Sequence, residues 1–128
     1  MSKVIDGNTI ITYQGDTCCF GLKGLKGLKP GDVIYFEIRD KKYNKPVLNQ
    51  LSGIVDSDGE VQFEITPRLS NQLYVKSGEV CAIYYFGFKR VDSYTGEEDT
   101  VLLKNSKIGS KYVLKIYSKS VEGEIENE

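Results

Sequence analysis

The 128-residue chain contains no histidine and no tryptophan. The first absence removes Ser-His-Asp and Cys-His pairs, histidine-ligated zinc and the commonest general base. The second removes the disulfide-plus-tryptophan core of antibody domains. Cysteine is scarce and odd in number, with Cys18 and Cys19 adjacent and Cys81 distant. Neighbours in a strand point to opposite faces, so at most one of the adjacent pair can bridge Cys81. Small buried thiols are the expected state, and a single Cys18–Cys81 or Cys19–Cys81 bridge is the geometric alternative. No CxxC occurs, and no glycine-rich loop runs into the Lys-Ser/Thr of a P-loop.

Long apolar runs are missing too. Stretches such as Ala82 to Phe86 fall far short of the ~20 residues a membrane helix needs. The start, MSKVIDGNT, has no apolar core of a leader, so synthesis and folding in a cytoplasm are expected. Net charge is nearly absent: seventeen basic against eighteen acidic residues leave −1, no field for generic nucleic-acid binding. The lysines do crowd the first third, from Lys23 to Lys45, while Glu122, Glu124, Glu126 and Glu128 close the chain. Both groups read as solvated surface: basic loops and an acidic tail over 121–128, after a domain over 1–120. A domain of this length buries roughly two thirds of the surface its unfolded chain exposes, enough for a core without metals or disulfides.

What the chain has is alternation. In DGEVQFEITP, Asp58-Gly59 makes a turn, then Val61, Phe63 and Ile65 alternate with Gln62, Glu64 and Thr66 until Pro67 stops the run. Val33 to Arg39 repeats the pattern, with Ile34, Phe36 and Ile38 on one face and Tyr35, Glu37 and Arg39 on the other. Shorter strands are predicted at Ile10–Tyr13 and Thr17–Phe20. Weaker ones are predicted at Val47–Val55, where Gly53 marks a bulge or close approach, and at Asp99–Leu103. Val80 to Val91 is the longest apolar strand, and Tyr112–Tyr117 the last. Arg68–Val75 reads as one helical turn or a short crossover. GLKGLKGLK, Gly21 to Lys29, has collagen spacing without prolines, and its glycines disfavour a helix, so a loop that drops its leucines onto the core is expected. The sum is an all-β fold of about seven strands in two packed antiparallel sheets.

Carboxylates and aromatics are the residue types left for chemistry. Asp56, Asp58 and Glu60 (DSDGE) begin like a calcium loop, but the glycine is fourth rather than sixth, so a hairpin turn is expected. Glu97-Glu98-Asp99 reads as a solvated loop, and neighbours in sequence cannot flank a glycosidic bond. No catalytic, metal or cofactor residue is nominated. Nine tyrosines and five phenylalanines stand out instead. Tyr84, Tyr85, Phe86 and Phe88 share a strand and must split between faces, half to the core and half, with Tyr35 and Tyr117, to an aromatic surface suited to protein or sugar contacts.

One ordered set of motifs goes further. QGDT, KPGDVIYFEIRD, DGEVQFEITP, YYFGFK, GEEDTVL and a tyrosine-rich strand ending KSVEGE together resemble the N-terminal domain of upper baseplate proteins of tailed phages of Gram-positive hosts. The resemblance spans about Gln14 to Gly123 and implies an immunoglobulin-like sandwich acting as an assembly module, with no catalytic residues to transfer. The chain given ends five residues later, at Glu128, so a stand-alone virion protein of baseplate, tail, neck or capsid is expected rather than a host-reaching scaffold. Its expected partners are other virion proteins, with self-association allowed, and neither nucleic acid nor membrane. Tyr35, Arg39, Tyr112 and Tyr117 are the expected contact residues, with Tyr112–Tyr117 as an open sheet edge. The alternative is a carbohydrate-binding module gripping host-surface glycans. A small hydrolase using carboxylates alone stands third.

Overall fold

A computed structural model describes residues 9–25, 27–103 and 111–118. It is all-β: strands β1 (Thr9–Tyr13), β2 (Cys18–Leu22), β3 (Val33–Arg39), β4 (Leu51–Ile54) and β5 (Val61–Ile65) precede one short helix, α1 (Pro67–Asn71). The strands β6 (Cys81–Val91), β7 (Glu98–Val101) and β8 (Tyr112–Tyr117) follow it. The alternating segments form the strands expected of them. In β3, Ile34, Phe36 and Ile38 are buried while the residues between them are half-exposed, and Val61, Phe63 and Ile65 do the same in β5.

The main sheet is curled and mixed, in the order β1-β8-β6-β3-β4, with β7 also paired to β6. The second sheet is the antiparallel pair β2-β5. It covers the inner face of the main sheet through phenylalanines. Phe20 packs on Phe36 at 5.0 Å between ring centroids, and Phe63 packs on Phe88 at 5.7 Å. Tilted and edge-on rings at such distances add to the area they bury. Gly53 is a close-approach point, since a Cβ there would lie 2.5 Å from Val61 Cγ2.

The connection from β5 to β6 closes one end of the core. Pro67 occupies the first turn of α1, where its missing N–H orphans nothing, and Thr66 Oγ1 accepts the Leu69 N–H at 3.2 Å. Ser70 is buried, accepts the Gly15 N–H at 2.9 Å and lies 3.0 Å from the Asp16 carbonyl, so the helix holds the β1–β2 turn. The DSDGE segment is a hairpin turn: Asp56 Oδ1 accepts the N–H groups of Asp58 and Glu60. The first triplet departs from the loop expected over Gly21 to Lys29, because Gly21 and Leu22 extend β2 opposite Gln62 and Val61, while Leu25 and Leu28 pack on the core as expected of the loop. Cys18 is buried and Cys81 is a free thiol, so neither Cys81 bridge forms.

Two expectations need correcting. The pairing is not wholly antiparallel, because β1 runs parallel to β8, with Thr9 opposite Val113 and Tyr13 opposite Tyr117. Nor is β8 an open edge: it lies between β1 and β6, and the end strands of that row are β1 and β4. An alternating strand looks the same at an edge or inside a sheet, and its neighbour comes from about a hundred residues away, beyond the reach of local pattern. The acidic tail lies outside the described residues.

Candidate interaction surface

Parity along the strands sorts the side chains. Those of one parity enter the core, and those of the other form the outer face of the main sheet. Registered rows run across this face: Tyr35 beside Lys89 and Thr100, Arg39 beside Tyr85 and Val113, and Cys81 beside Tyr117 and Tyr13.

A groove of about 380 Å³ crosses the middle of the face. Its position follows from the pairing of β6. Residues 85–91 give one edge of β6 to β3, so β8, at residues 81–86, and β7, at 88–91, must share the other. Gly87 sits in the gap between them, opposite Glu37. One wall carries Tyr35, Lys89 and Thr100, and the other Arg39, Tyr85 and Lys111. Several of these groups are already fixed. Arg39 donates to Glu37 Oε1 from Nε at 2.7 Å and from Nη2 at 2.6 Å, and to the Asn44 carbonyl at 2.7 Å. Gln50 donates to Glu37 Oε2 at 3.2 Å. Lys111 Nζ stands 5.3 Å from the centroid of the Tyr85 ring.

A second region lies at the β1 end. Ile11, Tyr13 and Ile83 are exposed by 44%, 41% and 38%, and the Tyr117 ring packs tilted against Tyr13 at 5.5 Å between centroids. Lys115 stands between Ile11 and Ile83 in their cross-strand row. Among the described residues, Ile11 and Tyr13 stand on an end strand, so an edge without a described partner strand and apolar side chains meet there.

Outside this face, a charge cluster pins the triplet loop. Asp32 is fully buried; burial pushes its pKa up, but the Lys29 and Ser93 N–H groups, donating at 3.0 and 2.9 Å, outweigh it and hold the carboxyl below its usual range. Asp92 is held further below that range, first by Lys29 Nζ at 2.6 Å and then by the N–H groups of Tyr94 and Thr95. Arg90 is kept charged by its bond to Asp99 and also donates to the Gly27 carbonyl. These contacts join the loop to the β6–β7 turn, and every group in them is occupied in doing so.

Of the four expected contact residues, Tyr35, Arg39 and Tyr112 border the groove and Tyr117 belongs to the apolar corner. For Tyr112 the correction is to its exposure: it points into the core and offers the groove little surface. It is 4% exposed, packs on Phe86 at 5.6 Å, and its hydroxyl accepts the Leu103 N–H at 2.9 Å. Positions 112 and 117 differ by an odd number, so one strand cannot present both on one face. Sequence reasoning missed Ile11, Tyr13 and Ile83, whose partners depend on the parallel pair, and Gly87, whose signal was a glycine amid the longest apolar strand. Among the described residues no group of three or more Cys, Asp or Glu side chains could hold a metal ion, and no helix is long and apolar enough to cross a membrane. In sequence, no protein-family model matches the chain, and no curated protein matches it either.

Proposed function

We propose that the chain is a structural, non-enzymatic module of a tailed-phage or prophage particle that works through protein–protein contact. The observation that carries this reading is the apolar corner of Ile11, Tyr13, Ile83 and Tyr117 beside β1, an end strand among the described residues. An aromatic pair flanked by aliphatics suits the centre of a protein contact, and an end strand offers N–H and C=O groups to a partner chain. The ordered motifs that resemble phage baseplate domains supply the setting, and with it an immunoglobulin-like kinship for the two sheets. The partners are then other virion proteins, in copies related by the symmetry of the particle, where weak contacts add up.

The test is incorporation. Ile83→Lys with Tyr117→Ala removes the corner without touching the core. The altered protein is expected to stay soluble and to melt like the parent, and to be depleted from purified particles made by the host strain. Incorporation at the parental level overturns the reading, as does absence of the parental protein from every particle fraction.

A further inference from the structure

Glycine within a strand needs a reason, because it weakens the strand and packs nothing. Gly53 has one in the close approach of Val61. Gly87 has neither of the usual ones. It is not among the glycines of positive φ, and a Cβ built on it meets no atom of the described residues within 4 Å. It stands near the middle of β6, where neither β7 nor β8 pairs, and its missing side chain leaves the floor of the groove. What remains is room for a ligand to approach the backbone.

We infer that the groove over Gly87 binds a short uncharged saccharide. The Tyr35 and Tyr85 rings flank the Glu37–Gly87 row from its two sides, half-buried, and neither hydroxyl has a hydrogen-bond partner among the described residues. Such rings offer an apolar body and a polar tip, matching the apolar and hydroxylated faces of a pyranose. Sugar hydroxyls both donate and accept, so they need both kinds of partner within one small site. The Glu37 carboxylate, oriented by Arg39 and Gln50, keeps lone pairs to spare, and Thr100 stands across the groove. A wholly apolar ligand would strand these groups. An anion would face Glu37, while the cations of the rim are engaged, Lys89 with Glu98 at 3.0 Å and Lys111 over Tyr85. The volume sits near the small end of ligand sites. The groove is distinct from the apolar corner of the proposed assembly contact, so the two readings stand or fall separately.

Amide spectra of the ¹⁵N-labelled protein decide the matter in titrations with maltose, cellobiose, lactose and N,N′-diacetylchitobiose. 3′-Sialyllactose and a tetra-alanine peptide serve as the charged and peptide probes. At least one neutral disaccharide should shift the amides of Tyr35, Gly87, Lys89 and Thr100 and leave those of Ile11 and Tyr13 in place. Gly87→Val, whose Cβ has room, should keep the melting temperature and abolish the shifts. If that variant does not fold, Tyr85→Ala should weaken the same titration roughly tenfold or more. Silence from all four neutral disaccharides overturns the inference. So do shifts that both variants leave unchanged, and a response to the sialyllactose or the peptide alone.

Discussion

Asp32 is the one fully buried carboxylate among the described residues, and its two oxygens serve loops about sixty residues apart. Replacing it with alanine would leave the Lys29 and Ser93 N–H groups without acceptors, so Asp32→Ala should destabilise by about 2–3 kcal/mol in urea melts. The same cluster sets an acid limit. Asp32 and Asp92 both titrate lower in the folded chain than in the unfolded one, so the unfolded state takes up protons first as pH falls. Their contribution is therefore complete above the ordinary carboxylate range, near pH ~4, and drains away below it. Melting temperature should fall steeply from about pH 4 toward pH 2, and the Asp32→Asn, Asp92→Asn double variant should show a flatter profile from a lower start. Parallel profiles would mean that other carboxylates govern acid unfolding.

At the scale of elements, α1 acts as a clip rather than as a helix in its own right. Five residues cannot hold a helix by themselves, and it persists through its Thr66 cap and the buried Ser70 hydroxyl on the β1–β2 turn. Ser70→Ala should cost about 1–3 kcal/mol and speed amide exchange at Gly15, whose N–H would lose its acceptor. A loss of stability with Gly15 exchange unchanged would place the effect elsewhere. How legible such elements were depended on how local their cause is. β3 and β5 could be bounded almost to the residue, because Ile34–Phe36–Ile38 and Val61–Phe63–Ile65 carry their faces in their own spacing. The Gly53 contact was legible because a glycine inside a strand calls for a neighbour. The neighbours of β8 were not, since Tyr112, Leu114 and Ile116 would be buried beside any partner. The half of the candidate surface that follows parity, Tyr35 with Arg39, could be read from the sequence. The half that needs the register of β1 against β8 could not.

For the whole molecule, the two sheets are unequal: a broad curled one and a two-stranded cover bound to it by phenylalanines. The cover is assembled from β2 and β5, whose paired residues Phe20 and Phe63 lie on either side of β3 and β4 in the chain. The broad sheet is finished otherwise. Among the described residues, the partner strand of β1 is β8 alone, where Tyr13 lies opposite Tyr117 and Gln14 donates to the Tyr117 carbonyl at 2.8 Å. Contacts of that span slow folding. During translation, β1 is therefore expected to wait for β8 as an exposed apolar segment, carrying Ile10 and Ile11 among other nascent strands. Ribosome-bound chains stalled after β7 should remain open to protease between Thr9 and Tyr13, and chains long enough to release β8 from the exit tunnel should become resistant there. Protection already present before β8 emerges would show that another strand shelters β1 in the interim. If the expected order holds, the timing of ribosome traffic over the last strand decides how much of this protein reaches its folded state.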